Sequence, residues 1–264
     1  MKIKEFDEDS PAMKELINDR LAQLEKDRGI KILWAGESGS RAWGFASPDS
    51  DWDVRFIYVY PRDAYLSVKD PKEDITLPIN GDLDFAGWEL RKLLRLLSKS
   101  NASPMEWMQS PIVYKEEAGF REALFALVRE FAQPRTYIHH YLGVMNSALK
   151  AGVADDTINI KKYFYILRPL FAARWVVRSG DTAPMTFRAL LDGFDDALLL
   201  NKIESLWEAK EKAREGVRVP IDRVLMEFIE SEQAQLKAQV EHMDPRSVPQ
   251  DFRILDEFFR KWLP

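Results

Sequence analysis

The sequence predicts an α+β fold: a small mixed sheet with flanking helices, followed by an all-helical C-terminal domain. Two apolar runs with strand-like composition, residues 30–34 and 52–60, lie close together near the start of the chain. From residue 116 onward the apolar residues recur at helical spacing, with breaks at Pro134 and Gly152. Because 264 residues exceed the usual size of one domain, we predict two, residues 1–133 and 134–264.

The composition is that of a globular protein. The formal charge is −5 and charged residues make up 31% of the chain, so any nucleic-acid surface must be a local basic patch. The absence of cysteine excludes disulfides, thiolate zinc sites and cysteine nucleophiles. The acidic N-terminus, MKIKEFDEDS, does not match a signal peptide, and no run of eighteen apolar residues occurs. We therefore expect a cytoplasmic protein that does not bind to a membrane.

The first elements are a helix and two strands. Ser10 and Pro11 predict a helix start, and Gly29 predicts its end. The strand at residues 30–34 then leads into a turn that contains Gly36, Gly39 and Ser40, with a short helix expected within residues 41–47. The strand at residues 52–60 follows this turn, so that the turn joins two neighbouring strands.

Asp51 and Asp53 open the second strand. Side chains on a strand alternate between its two faces, so both carboxylates are expected on the same side. Two like charges that close repel each other, and a cation between them relieves the repulsion. Oxygen ligands of this kind suit Mg²⁺, which often shares its coordination with substrate phosphates. The small Gly39-Ser40 turn allows a phosphate to approach backbone N–H groups and a hydroxyl.

Each feature has a simpler interpretation when it is taken alone. Asp-x-Asp pairs and Gly-Ser turns are common separately, and a solvated hairpin is then the default interpretation. Here both occur within residues 39–53. The combination, rather than either feature, indicates a nucleotide site.

The segment GSRAWGFASPDSDWDVRFIYV resembles the signature of the DNA polymerase β type nucleotidyltransferase superfamily. Gly39, Ser40, Ser50, Asp51 and Asp53 stand at the matching positions. Taken over its full length, this segment is similar to the RNA-repair, or RNA-ligase-associated, branch of that superfamily. Two later segments extend the resemblance: residues 87–114, where Glu89 replaces the aspartate typical of the branch, and residues 161–170. We interpret Glu89 as the cap of the helix that follows.

The resemblance implies a polymerase-β-like fold and a third carboxylate on a neighbouring strand. Asp84 lies between apolar residues and is our choice, whereas Asp82 fits a turn cap better. The next helix has leucines on one side and basic residues elsewhere, and Lys92 is expected near a triphosphate. Arg41 is as readily a solvated or structural arginine as a phosphate ligand.

The later helices are predicted at residues 120–131, 137–149, from 155 or 157 to 178, 186–191, 195–216, 221–241 and 249–263. On the third of these, Lys161, Tyr165 and Arg168 share one face at spacings of four and three. By resemblance this face contributes to the nucleotide cleft, although a merely solvated face is about equally plausible. Residues 208–216, EAKEKAREG, are typical of a solvated helix end.

The function implied by the resemblance is nucleotidyl transfer from a nucleoside triphosphate such as ATP to an acceptor hydroxyl. Asp51, Asp53 and Asp84 would be the catalytic carboxylates and the ligands of two Mg²⁺ or Mn²⁺ ions. The nucleotide would be bound by a larger set: Gly39, Ser40, Arg41, Lys92, Lys161, Tyr165 and Arg168. An RNA end, as in RNA repair, is the favoured acceptor. A toxin-type protein or a small molecule such as an antibiotic remains an alternative, and so does a non-catalytic protein that senses nucleotides or binds a partner.

Overall fold

The structure is a computed structural model that describes residues 11–79, 81–213, 216–244, 249 and 251–264. The predicted cap Ser10 and the rest of the MKIKEFDEDS segment lie outside the described residues. The last part of the EAKEKAREG segment and the start of the helix expected at residues 249–263 lie partly outside them.

The N-terminal part contains a five-stranded sheet with helices on both faces. Its strands are β1 (Lys31–Glu37), β2 (Trp52–Val59), β3 (Asp74–Thr76), β4 (Leu83–Glu89) and β5 (Val113–Glu116). Its helices are α1 (Pro11–Arg28), α2 (Gly39–Trp43), α3 (Leu90–Ser98), α4 (Ala102–Met108) and α5 (Phe120–Phe131), with a 3₁₀ turn at Arg62–Leu66. The bounds of α5 are those that the sequence predicted.

The sheet is mixed. Its order is β3-β4-β2-β1-β5, and β2 and β4 run parallel while the other neighbours are antiparallel. The strand β1 extends three residues beyond the predicted end. Gly36 therefore pairs with Arg55 within the sheet, and the expectation that it belongs to the turn was wrong. The added length places Glu37 inside the sheet, directly before the turn.

Alternation of side chains gives the sheet two apolar faces. Helix α1 covers one face with Ile17, Leu21 and Leu24, which pack against residues of β1, β2 and β4. Helices α3, α4 and α5 cover the other face. The strand β2 therefore has few positions left for polar side chains, and these lie at its start.

The C-terminal part is mainly helical. Its helices are α6 (Pro134–Gly152), α7 (Ile160–Ser179), α8 (Phe187–Leu190), α9 (Ala197–Lys212), α10 (Arg223–Glu241) and α11 (Arg253–Trp262). A small sheet of β6 (Val153–Ala154), β7 (Thr157–Asn159) and β8 (Arg218–Pro220) was not predicted. Helix α7 starts later than expected because this hairpin takes up residues 153–159, and Asn159 caps the helix by accepting from Lys161 N at 2.9 Å.

Packing contacts cross the predicted boundary at residue 134. Phe45, from the loop after α2, is buried in the helical core, with its ring centroid 5.0 Å from that of Phe164. Helix α11 returns to the sheet, where Leu255 and Phe258 join the core formed by α3 and α5. Helix α11, which the predicted domain 134–264 includes, therefore packs on the N-terminal core. The division into two domains stays a prediction.

Among the described residues, no helix combines the length and apolar character needed to cross a membrane.

Candidate active site

Two carboxylates face each other at the N-terminal ends of β2 and β4. Asp53 and Asp84 are each the second residue of their strand, and the parallel register pairs them directly. Trp52 and Val54 are buried, so Asp53 and Arg55 project from the opposite face of β2, as alternation requires. We call Asp53, Asp84 and Arg55 the acidic end of the strand pair.

Arg55 bridges the two carboxylates. Its Nη2 lies 3.0 Å from Asp53 Oδ1 and 3.0 Å from Asp84 Oδ2. Its Nη1 donates to the carbonyls of Val54 at 3.2 Å and Asp84 at 3.4 Å. Arg55 was not among the predicted site residues, although the alternation that joined Asp51 to Asp53 also puts residue 55 on their face.

Asp51 lies one residue before β2 and is exposed to solvent. It is close enough for its negative charge to act on Asp53. The described residues nevertheless contain no group of three metal-ligating side chains arranged around one point. The donor chemistry fits Mg²⁺, because all three candidates supply carboxylate oxygens. The assembled part of the predicted metal site is the Asp53–Asp84 pair, which Arg55 holds.

Several charges act on Asp53. Burial raises the pKa of Asp53 above its ordinary value; the Arg55 charge lowers that pKa, Asp84 and Asp51 raise it, and Lys161 lowers it. Lys161 therefore lies within electrostatic reach of the acidic end, although it belongs to α7. Charges from two separate parts of the fold therefore act on this carboxylate.

The Gly39-Ser40 turn lies directly beside Asp53. Gly39 has a φ of +61°, and a Cβ atom on it would overlap Asp53 Oδ2. Only glycine fits here for both reasons. The short helix α2 begins at Gly39 and ends at Trp43, earlier than the predicted 41–47. Ser40 is buried within it.

A buried carboxylate that the sequence did not reveal supports this turn. Glu37 is 0% exposed; its Oε1 accepts from Asp53 N at 2.7 Å and its Oε2 accepts from Tyr114 OH at 2.5 Å. Burial raises the pKa of Glu37 to about 7, against the lowering effect of the Tyr114 hydrogen bond. Glu37 thus fixes the backbone of Asp53. No local signal indicated this role, because an acidic residue next to a predicted turn is ordinarily exposed to solvent.

Arg41 holds the loop that leads into β2. It donates to the Ser50 carbonyl at 2.7 Å and to the Asp51 carbonyl at 3.1 Å, and its guanidinium lies 3.9 Å from the Trp52 ring centroid. These contacts agree with the structural interpretation of Arg41. They also fix the position of Asp51.

The three residues predicted to share a face of α7 have different surroundings. Lys161 lines a small cavity against the loop at residues 47–50. Tyr165 packs edge-on against Trp43, with ring centroids 5.3 Å apart. Arg168 is only 4% exposed and donates to Glu106 Oε1 at 3.0 Å and to the Met185 carbonyl at 3.1 Å. The expectation that Arg168 faces the cleft was wrong, because α7 is enclosed by other elements along most of its length.

Lys92 lies at the opposite end of the sheet. Helix α3 begins at Leu90, after β4 has run five residues beyond Asp84, a distance of about 16 Å. Lys92 Nζ pairs with Asp74 Oδ2 at 3.1 Å. The expectation that Lys92 approaches the triphosphate depended on a helix start close to Asp84, and β4 separates the two. Glu89 caps α3, as the sequence predicted, by accepting from Arg91 N at 2.8 Å.

One residue of the predicted solvated helix end is buried. Lys210 is 2% exposed and its Nζ donates to the Phe45 carbonyl. It therefore ties α9 to the loop after α2, and the solvated interpretation was wrong at this position. The charged residues on both sides of Lys210 gave no indication that this lysine is buried.

The chain was compared with known proteins. A family model described as RlaP, the RNA repair pathway DNA polymerase beta family, matches residues 13–261. The uncharacterized protein YcgL of Bacillus subtilis (strain 168) is 42% identical over 222 residues, which cover 83% of this chain and 85% of that protein. The uncharacterized protein MJ0002 of Methanocaldococcus jannaschii is 26% identical over 200 residues, covering 74% of this chain and 76% of that one.

A search of solved structures matched a nucleotidyltransferase-like protein from Exiguobacterium sibiricum 255-15. The match covers 85% of this chain and 74% of that one, with 12% identity and a TM-score of 0.31. The family model and the Bacillus relative both extend over most of the chain. The resemblance inferred from residues 39–53 is thus confirmed, and the chain belongs to the RNA repair pathway DNA polymerase beta family.

Proposed function

We propose that this protein is a nucleotidyltransferase that moves a nucleoside monophosphate from a nucleoside triphosphate to the hydroxyl of an RNA end. In this reaction the acceptor oxygen bonds to the α-phosphorus, the bond from that phosphorus to the bridging oxygen breaks, and pyrophosphate leaves. The observation that carries the proposal is the direct apposition of Asp53 and Asp84 beside Gly39.

Asp53 and Asp84, with Asp51 close by, would hold Mg²⁺ or Mn²⁺. Such an ion supplies charge that stabilises the leaving pyrophosphate and lowers the pKa of the acceptor hydroxyl, effects worth several kcal/mol. The chain's own contribution is to hold these carboxylates in position. The Glu37 contact with Asp53 N and the register of β2 against β4 do this.

The surroundings of the pair suit a triphosphate. Because Gly39 has no side chain, the backbone of the turn lies directly against Asp53, and the N–H groups of such a turn can bind a phosphate. Lys161 supplies a positive charge from the other part of the fold. A polyanion bound here would therefore lie near the Gly39 turn and within reach of the Lys161 charge.

RNA as the acceptor is supported by the family rather than by a groove. The matching model describes an RNA repair pathway family, and an RNA end carries the hydroxyl that this chemistry needs. An acceptor assay with several classes of hydroxyl is therefore the direct test.

The purified chain would be incubated with Mg²⁺, each α-labelled nucleoside triphosphate, and a panel of RNA ends, cell proteins and aminoglycosides. We expect label on RNA ends with the natural chain and none with Asp53→Asn. Asp82→Asn is the matched control, because Asp82 is exposed and lies just before β4. It should retain full transfer.

Label on a protein or on an aminoglycoside, with none on RNA, would overturn the acceptor. Tight binding of a triphosphate without any transfer would instead support the non-catalytic alternative. Equal loss in Asp82→Asn and Asp53→Asn would contradict the assignment of the site.

A further inference from the structure

The acidic end already contains a positive charge. Arg55 Nη2 contacts one oxygen of Asp53 and one oxygen of Asp84, both at 3.0 Å. The two aspartates are paired directly in the register of β2 against β4. We propose that Arg55 is an internal competitor for divalent metal, so that a metal ion binds to the acid pair only by displacing this guanidinium.

The contact of Arg55 with the two acids is of a kind that can be exchanged. The strongest arginine–carboxylate pairs are bidentate, with two parallel N–H groups on one carboxylate. Here a single nitrogen serves both carboxylates, and Nη1 makes two longer bonds, of 3.2 and 3.4 Å, to backbone carbonyls. The Arg55 side chain is also 17% exposed. It therefore has an open side toward solvent and is not enclosed as Arg168 is.

A metal ion and the guanidinium cannot share this position. An ion held by Asp53 and Asp84 would compete with Nη2, because it would need carboxylate oxygens that Nη2 now contacts. Their charges also repel each other. Any free energy that Arg55 gains from the two acids is therefore subtracted from the free energy of metal binding.

This competition has a consequence for the order of binding. The proposal rests on the proposed function, since it takes the acid pair as the metal site. A nucleoside triphosphate brings negative charge that both attracts the metal and offers a released guanidinium new acceptors. Arg55 would thus keep metal affinity low in the absence of nucleotide and couple metal binding to the arrival of the triphosphate.

The test measures metal binding directly, without turnover. Mn²⁺ would be titrated into the natural chain, Arg55→Gln and Arg55→Lys, and free Mn²⁺ would be followed by electron paramagnetic resonance, with and without a non-hydrolysable triphosphate. We expect Arg55→Gln to bind Mn²⁺ at least about tenfold more tightly without nucleotide. In Arg55→Gln, the ratio of the Mn²⁺ affinity with nucleotide to the Mn²⁺ affinity without nucleotide should be smaller than in the natural chain. Arg55→Lys, which keeps the charge, should remain closer to the natural chain.

Arg91→Gln is the matched control. Arg91 also lies near two acids, Asp70 at 3.5 Å and Glu89 at 3.8 Å, but at the opposite end of the sheet. Its replacement should leave Mn²⁺ affinity unchanged. Adding Asp53→Asn to Arg55→Gln should abolish the gain, which would locate the ion at the acidic end.

Unchanged or weaker Mn²⁺ binding in Arg55→Gln would overturn the proposal and make Arg55 a simple positioning residue. If that variant fails to fold, the natural chain still decides the question. The Arg55 Nε–H signal, identified in an NMR spectrum by its absence in Arg55→Lys, should shift when Mg²⁺ is titrated until the site is saturated. An unchanged signal at saturation would refute displacement. Because neither readout needs an acceptor, failure of this proposal is distinguishable from failure of nucleotidyl transfer.

Discussion

The two ends of the parallel pair β2–β4 contain similar residue types in different states. At the start of β4, Asp84 shares Arg55 with Asp53, and the Asp53 and Asp84 side chains are 25% and 29% exposed. At the end of β4, Glu89 is 1% exposed; its Oε1 accepts from Tyr65 OH at 2.8 Å and its Oε2 from Arg91 N at 2.8 Å. We call Glu89, Tyr65 and Arg91 the capped end.

The difference shows how burial separates an acid with fixed partners from an acid that is open to a ligand. Both oxygens of Glu89 have fixed partners, so this carboxylate has little capacity left for a ligand. The acids at the acidic end face solvent and have lone pairs to spare. Substitutions at the two ends should therefore affect different properties: activity at the acidic end and stability at the capped end.

The largest expected effect is on turnover at the acidic end. Asp53→Asn or Asp84→Asn should reduce nucleotidyl transfer by about 100-fold or more, because each removes a charged ligand from the reacting centre. The change in the free energy of unfolding should stay within about 1 kcal/mol, since the lost Arg55 contact is partly exposed and the repulsion between the acids is relieved. Turnover and urea unfolding would be measured on the same preparations. Near-normal turnover at saturating Mg²⁺ would break the comparison.

At the capped end, Glu89→Ala should lower the free energy of unfolding by about 2 kcal/mol. The variant loses the cap of α3 and leaves the Tyr65 hydroxyl without its acceptor. Turnover per folded molecule should not change at temperatures well below the melting point. A stable variant that has lost activity would show that the capped end takes part in the chemistry.

Glu37 contacts Asp53 of the acidic end, but it is as buried as Glu89 of the capped end. Its ionisation is therefore expected to affect stability. Its pKa is raised to about 7 from 4.5. Below pH 4.5 the carboxyl is neutral in both states. As pH rises from 4.5 to 7 the unfolded chain loses this proton while the folded chain keeps it, so the contribution of Glu37 to stability falls across that window. Glu37→Gln, which cannot ionise, should flatten the fall in urea-unfolding free energies measured between pH 4.5 and 7.5. An equally steep fall in the variant would assign it to other groups.

The smallest expected effect is on the KM for the triphosphate, and it is tested by comparing two lysines. Lys161→Ala should raise the KM for the triphosphate by about tenfold, because a charge-assisted phosphate contact contributes roughly 1.5–3 kcal/mol. Lys92→Ala, at the capped end, should leave KM unchanged. Neither substitution should shift the melting temperature by more than a few degrees. Equal KM values for the two variants would show that Lys161 does not contribute to triphosphate binding, and would leave only the residues of the sheet and its turn as the nucleotide site.

Several features of this protein could be predicted from local sequence patterns alone. Alternation placed Asp53 on the solvent side of β2, helical spacing gave the bounds of α5, and the sequence of residues 39–53 indicated the family. Period and turn chemistry act over a few residues, so they can be inferred from the chain alone. The same alternation would also have put Arg55 on the acidic face.

Partners distant in sequence were decided only by the tertiary structure. The register of β2 against β4 put Asp84 opposite Asp53, and the length of β4 carried Lys92 away from both. Packing around α7 buried Arg168 against Glu106, and the pairing of β1 with β5 brought Tyr114 to Glu37. A helical or strand period gives the direction of a side chain relative to its own element. What that side chain meets depends on how whole elements pack, and no short stretch of sequence contains that information.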